Sequence, residues 1–429
     1  MSLKSQMPLQ VWILTLSAFA IGTAEFVIAG VLPQVAGSLR VSEGQAGNLI
    51  TAYALAIVVG GPILTLWLAR FEKHKVLIGL MALFIAGNLI GAFTASYRVL
   101  LISRVIAGLT QGPFYGIGAV VATKLVSDKL AGQAVGQMFA GLTLANVLGV
   151  PGGTWIGNAF GWNTTFLVIS ALGLVAAVAV AAFVPAQAPD HSAPNIRGQL
   201  SAFRDCNLIA SLAITALGWV GFMAFYGYIA PVAERIAGFS ASDLTWVLVI
   251  VGLGLVIGNS LGGRTADANL RLSLILWPAA MIASLIVVGL VAPFKWPFLA
   301  AAFVFGVASF ANVPPMQMRV MKYGKAAPEL AATANISAFN VANALGGLIG
   351  GAIVDSSYGA SAIPFAATVV PLVTLLFILS QERRSSSSTL APRGSERRPQ
   401  EAAVVAAQGK KSARQQSSHR VCTTHNSRN

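Results

Sequence analysis

The chain has 429 residues, 56% of them hydrophobic and only 10% charged, with a formal charge of +14 at pH 7 and a mean hydropathy of +0.74. A water-soluble domain carries about 25% charged residues, so this composition excludes one. The positive charge does not point to nucleic acid: residues 382–429 hold ten Lys/Arg against three acids, half of the excess, and the rest lies in short segments between apolar runs, where it reads as membrane topology.

The opening MSLKSQMPLQ precedes an apolar run of about 20 residues. That is long for the apolar stretch of a signal peptide, and we read it as a retained first span. Apolar runs of roughly 18 or more residues match a bilayer core of about 30 Å, and twelve follow in order: 11–32, 47–68, 77–96, 99–122, 133–156, 163–185, 208–230, 245–263, 272–292, 297–318, 329–354 and 361–381. The expected fold is an all-α membrane protein of two pseudo-symmetric six-helix bundles. Its divisions are an N-terminal bundle 1–185, a Pro-, Ala- and Ser-rich cytoplasmic linker 186–207, a C-terminal bundle 208–381 and a disordered basic tail 382–429.

Orientation follows from the basic residues. Lys4, Arg70, Lys73, Lys75, Lys124, Lys129, Arg197, Arg204, Arg264, Arg271, Arg319, Lys322 and Lys325 fall on one side, against Arg40, Arg98, Arg235 and Lys295 on the other. The positive-inside rule then puts both termini in the cytoplasm. Cys206 and Cys422 are the two cysteines and indicate neither a disulfide framework nor a metal site. The duplication has a sequence trace: ANVLG at Ala145–Gly149 in span 5 recurs as ANALG at Ala342–Gly346 in span 11, 197 residues later. Duplicated halves with a site between them characterise transporters.

Of the fourteen acids, thirteen fall in loops, termini or span edges; Glu25, within GTAEFVIAG, does not. An ionisable residue at membrane depth is costly and faces a cavity or a partner. A carboxyl there can exchange a proton and so couple transport to a proton gradient, or hold a cationic or hydrogen-bonding substrate; the bland reading is a structural acid locking helices together. At about 1.5 Å per residue, Glu25 and Arg104 lie at similar depths in spans 1 and 4. Arg104 is therefore either an ion-pair partner for Glu25 or a side chain reaching the headgroups. Candidate cavity residues are Asn88, Gln111, Asn146, Tyr226, Tyr228, Asn340 and Asn343. Asn259 and Asn335 are further polar residues at depth, and Trp219, Phe222 and Phe225 extend the aromatic group of span 7. Such side chains serve equally to bond helices together. Gly141, Gly149, Pro151, Gly152, Gly153 and Gly157 make span 5 both closely packable and bent.

These residues resemble a known family. Twelve spans in duplicated halves are similar to the major facilitator superfamily. GTAEFVIAGVLP, RVIAGLTQG, GLTLANVLGVPGGTWIG, VPPMQMRVM and NISAFNVANALGG look like its twelve-span drug:proton antiporters, in the branch of arabinose-efflux-like permeases and chloramphenicol-resistance exporters. The likeness covers about residues 8–381. It implies an antiporter motif at Gly141, Gly149, Pro151, Gly152, Gly153 and Gly157, a coupling acid at Glu25, and a span-4 motif at Arg104, Gly108 and Gly112. It also implies gating loops at Arg70, Lys73 and Lys75 and at Gly263 and Asp267. One departure stands out: the aspartate of the first gating loop is Ala69 here, and a glycine is Glu72.

The expectation is a proton-coupled, non-enzymatic exporter of small amphipathic molecules such as chloramphenicol. It would be a multi-pass bacterial inner-membrane protein working as a monomer by alternating access, with the proton gradient in place of a cofactor and no nucleic-acid partner. A sugar or metabolite exporter is the alternative, and a transport-dead sensor a remoter one.

Overall fold

With no water in the hydrocarbon to satisfy the backbone, an apolar run that crosses a bilayer must close its hydrogen bonds internally, and every run named above is helical. The computed structural model describes residues 7–68, 70–127, 130–186, 202–326 and 328–390. Most of the linker (187–201), Ala69, Lys4, Lys129, Arg197 and the tail from residue 391 lie outside them.

Among the described residues, twelve helical segments are long and apolar enough to span a membrane. Span 1 is Leu9–Phe26, prolonged by Ile28–Leu39; span 2 is Glu43–Leu68, span 3 Lys73–Phe93 and span 4 Tyr97–Lys124. Span 5 is Ala131–Leu144, Ala145–Gly149 and Val150–Phe160; span 6 is Trp162–Phe183. Span 7 is Cys206–Gly218, Val220–Tyr226 and Ile229–Arg235; span 8 is Leu244–Ala268 and span 9 Leu270–Val291. Span 10 is Lys295–Phe310 with Val313–Tyr323, span 11 Pro328–Val354 and span 12 Ile363–Leu390.

Two boundaries differ most from expectation. Span 1 does not stop at residue 32: its second piece reaches Leu39, because Val35 and Ala36 are buried against the other half. Span 12 passes residue 381 to Leu390, since Gln, Glu and Arg favour helix and the next proline is Pro392. The contacts of the chain cluster into one unit, residues 1–378, and a second from Leu379 onward.

The interruptions have local causes. Proline lacks an N–H, and its ring crowds the carbonyl four residues before it. In span 5 the crowded carbonyl is that of Val147, and ANVLG widens into a π-helical turn immediately before Pro151. In span 7 the break at Gly227–Tyr228 sits three to four residues before Pro231. In span 10 the break at Ala311–Asn312 precedes Pro314 and Pro315.

Consecutive spans run in opposite directions; the side on which span 1 begins is the terminal face and the other the distal face. The halves meet through spans 2 and 11 and through spans 5 and 8. Adding six to each number exchanges the two pairs, which is the signature of a two-fold relation. The buried clusters show where the halves close. Toward the distal face, Val31, Leu32 and Val35 share one core with Tyr226, Tyr228, Val232, Leu244 and Leu248. Toward the terminal face the described cores are separate: Leu14, Leu77, Phe84, Phe114 and Met138 within the first half, and Ile214, Leu274, Met316 and Ile378 within the second. Trp67, Trp155, Trp246 and Trp296 stand exposed toward span ends, as aromatic anchors at a membrane interface do.

Candidate functional site

Spans 1 and 5 run parallel in tight register. A methyl on Gly141 would lie 2.3 Å from the Thr15 carbonyl oxygen, one on Gly149 2.0 Å from Thr23 Oγ1, one on Gly153 2.5 Å from Val27 Cγ2 and one on Gly157 2.7 Å from Val31 Cγ1. Each glycine thus meets the span-1 residue 126 positions before it. Gly152 points elsewhere and has nothing within 4 Å. This seam fixes the rotation of span 1 and turns Glu25 away from span 5.

Glu25 is buried, 6% exposed, and each oxygen of its carboxyl accepts from an amide. Gln111 Nε2 of span 4 donates to Oε2 at 2.7 Å, and Asn343 Nδ2 of span 11 donates to Oε1 at 3.1 Å. The first donor belongs to the N-terminal half and the second to the C-terminal half, so the carboxyl lies on the seam between them. Both amides are themselves held: Tyr53 Oη donates to Gln111 Oε1 at 2.9 Å, and Trp219 Nε1 donates to Asn343 Oδ1 at 3.1 Å.

Arg104 takes neither of its two expected roles. It is buried at 1% exposure and so does not reach the headgroups. No ion pair joins it to Glu25 among the described residues; instead its Nη2 donates to the Ala24 carbonyl at 2.6 Å. Its guanidinium lies 4.2 Å from the centre of the Tyr53 ring, in cation–π contact, and its Nε and Nη1 have no hydrogen-bond partner. The reason is local: two neutral amides already occupy both Glu25 oxygens, leaving the guanidinium the backbone next door.

Beside Asn343 stands an aromatic group. The Trp219 ring is 4.4 Å from Phe222, 5.4 Å from Phe310 and 5.3 Å from Phe339, and Phe222 stacks on Tyr226 at 4.9 Å. The Tyr226 hydroxyl is buried without a partner, and its ring meets Phe26 edge-on. Trp219, Phe222 and Tyr226 are buried in the interior, with Phe310 and Phe339 partly buried against them.

The remaining polar candidates separate. Asn340, one turn before Asn343, and Asn146 bond back to their own helices with Oδ1 unpartnered. Asn88 does the same in span 3 and does not join the Glu25 network. Tyr228 belongs to the distal contact, donating to the Gly347 carbonyl at 2.6 Å. Tyr53, unremarked in sequence, completes the network; its hydroxyl sits within the apolar run TAYALAIVVGG, where alternation and periodicity give no sign of it.

The candidate gating residues lie on the terminal face. Arg70 rests over the rings of Trp67 and Phe71, and Lys75 pairs with Glu72 at 2.8 Å. Lys73 is buried in the first turn of span 3. Gly263 and Asp267 are not in a loop: span 8 stays helical to Ala268 and span 9 begins at Leu270, so the connection is Asn269 alone. The described bonds between the halves run instead from Glu25 to the distal face. Thr51 Oγ1 donates to the Ala344 carbonyl, Arg235 pairs with Glu43, and Asn158 donates to the Ala241 carbonyl. Asp355, at the end of span 11, accepts from Ser42 Oγ and from the Gly44 amide at 3.0 Å, capping span 2 across the seam.

The duplicated motif locates the counterpart of Glu25. Gly149 meets Thr23, and Gly346 meets Val220; both steps, 149 to 346 and 23 to 220, equal 197. The same step takes Glu25 to Phe222, so one half carries an acid where the other carries a ring.

Two related six-helix halves that close on one face, with a buried carboxyl on their seam, define a transporter rather than an enzyme. The chain belongs to the Major Facilitator Superfamily, whose family model matches residues 14–337. It is 38% identical over 369 residues to the inner membrane transport protein YdhP of Escherichia coli O157:H7, covering 85% of this chain and 94% of that one. It is 34% identical to the putative transporter AraJ of Escherichia coli K12, with 82% and 90% covered, and 31% identical to a chloramphenicol resistance protein of Streptomyces lividans, with 82% and 91% covered. The xylose transporter XylE from E. coli, in a partially occluded inward open conformation, shares the fold with a TM-score of 0.67 at 16% identity, over 86% of this chain and 96% of that one.

Proposed function

We propose that this protein is a proton-coupled exporter of small amphipathic molecules, working as a monomer in a bacterial inner membrane with both termini in the cytoplasm. The observation that carries the reading is Glu25: a buried carboxyl held by Gln111 of one half and by Asn343 of the other. A group so placed feels any relative movement of the halves, and its charge in turn alters how strongly they hold each other, because a hydrogen bond to an ionised acceptor is roughly twice as strong as a neutral one. Arg104, a buried positive charge on the neighbouring carbonyl, sets the field in which Glu25 exchanges its proton. Asn340, Tyr226 and the rings around Trp219 offer an amphipathic molecule both hydrogen-bonding and apolar surface. With the terminal face cytoplasmic, the present arrangement is closed outside. The turn holding Arg70, Lys73 and Lys75 and the end of span 8 with Gly263 and Asp267 then lie where the halves come together in the opposite state.

YdhP is an inner membrane transport protein and the Streptomyces relative a resistance protein, which supports membrane and cargo alike. The test is Glu25→Gln in inverted vesicles with an imposed pH gradient, following labelled chloramphenicol. Gradient-driven movement is expected to vanish while exchange of cargo without a gradient persists. Undiminished gradient-driven efflux would refute the coupling role, and uptake of a pentose in place of chloramphenicol would move the cargo to sugars.

A further inference from the structure

The two amides that hold Glu25 differ in what holds them. An amide can offer either its N–H or its oxygen, and its neighbours decide which. For Asn343 the neighbour is Trp219 Nε1, 3.1 Å from Oδ1. An indole N–H donates and never accepts, so it requires the oxygen of Asn343 and leaves the N–H pointing at Glu25. For Gln111 the neighbour is the Tyr53 hydroxyl, 2.9 Å from Oε1. A phenol both donates and accepts, and the Ile21 carbonyl, 3.5 Å from the same hydroxyl, offers its proton another place.

We propose that Trp219 is a positioning residue for the proton site: it locks Asn343 as a permanent donor to Oε1, so that Glu25 takes up its proton on Oε2, where Gln111 is free to turn over. The step balances. A proton from solution binds Oε2; Gln111 rotates its amide by half a turn and accepts that O–H through Oε1. Tyr53 then accepts from Gln111 Nε2 and donates to the Ile21 carbonyl. Asn343 does not move. The second half thus holds an ionised Glu25 through a charge-assisted bond and a protonated one through a neutral bond, and Trp219 is what keeps that difference from being erased by a flipped amide. The other titratable groups facing Glu25 are Arg104 and Tyr115 of span 4, held by the carbonyls of Ala24 and Ala18, and Tyr53 of span 2, poised between Gln111 and the Ile21 carbonyl. This deepens the exporter reading and rests on Glu25 as its proton-exchanging group.

The test titrates Glu25 directly in the purified full chain, by the infrared carbonyl band of its protonated carboxyl, identified by its loss in Glu25→Gln. Asn343→Ala is expected to raise the midpoint by about one pH unit, the worth of one hydrogen bond to a charged group. Trp219→Phe, which keeps the ring and removes the N–H, is expected to shift it in the same direction. The double variant is expected to shift no further than Asn343→Ala alone, because Trp219 acts through Asn343. An unmoved midpoint in Trp219→Phe, additive shifts in the double variant, or absence of the band from the wild-type protein overturns the proposal. Asn343→Ala leaves the aromatic group whole, so an unmoved midpoint there overturns it even where Trp219→Phe fails to fold. A wild-type band that titrates while efflux ignores the pH gradient defeats the exporter reading alone; the variant midpoints still decide the role of Trp219.

Discussion

Alanine at Gly141 adds one methyl group, and the seam between spans 1 and 5 has no room for it. The new carbon would sit 2.3 Å from the Thr15 carbonyl oxygen, 2.8 Å from the Phe19 nitrogen and 2.9 Å from Ala18 Cβ. Heavy atoms prefer about 3.5 Å or more, so the contact is short by about 1 Å. Two of the three opposing atoms are helix backbone, which cannot swing aside. Thr15 is pinned as well, since its hydroxyl shares its one proton between the Val11 carbonyl of span 1 and the Gln137 carbonyl of span 5, each at 3.0 Å. Overpacking of this kind costs about 1–3 kcal/mol, and replacing a helical glycine returns about 0.5–1 kcal/mol, for a net loss of up to about 2.5 kcal/mol. Gly152→Ala, eleven residues further on, keeps the helix gain and meets nothing within 4 Å. Reversible unfolding in mixed micelles should therefore place the two variants on opposite sides of wild type, with efflux falling only in Gly141→Ala. Equal stabilities, or a less stable Gly152→Ala, would refute the reasoning that the span-5 glycines act by letting span 1 approach.

Three further outcomes are expected. Arg235→Ala strands the largely buried Glu43, whose Oε2 already lacks a partner; with the arginine half-exposed, the loss is about 1 kcal/mol. A cysteine at Leu39 should then react faster with an impermeant maleimide; an unchanged rate would show that the ion pair does not hold the distal face shut. Asp355→Ala removes the cap that span 11 places on span 2, a change worth about 1 kcal/mol, and faster hydrogen exchange at residues 43–46 is the readout. Lys295, 3.1 Å away, and Ser240 hold the Asp243 carboxyl below its usual range. A lowered carboxylate contributes stability above its ordinary titration range and loses it as pH falls through the folded value, so the melting gap between wild type and Asp243→Asn should be present at pH 7 and close on acidification.

The twelve helices were legible because a bilayer leaves an apolar run no other solution, and a run of twenty residues is visible without knowing its neighbours. Pro231, Pro314 and Pro315 follow breaks, whereas Pro33, Pro62, Pro113, Pro278 and Pro371 sit inside continuous helices, so a proline in the chain does not by itself announce a break. Glu25 was legible for the converse reason: an acid far from any span edge is expensive, so its mere presence speaks. Its partners were not. Gln111 and Asn343 bind it, while Asn88, Asn146 and Asn340, equally polar and equally buried, bond to their own helices. What separates them is the rotation of each helix about its axis, which follows from glycine contacts such as Gly149 on Thr23 that only three dimensions display. Arg104 shows the same limit, since its depth was right and its partner wrong.

Phe222 standing where the duplicated half has Glu25 carries a consequence for energetics. Two identical modules would present the same chemistry twice around the axis; here one module holds the ionisable group and the other a wall of rings. One elementary charge moved through 100 mV yields about 2.3 kcal/mol, which at 1.36 kcal/mol per decade sustains a concentration ratio of about fifty. In the proposed exporter, a cycle driven through Glu25 alone would take this ceiling from the electrical gradient, and Phe222→Glu asks whether a second acid raises it.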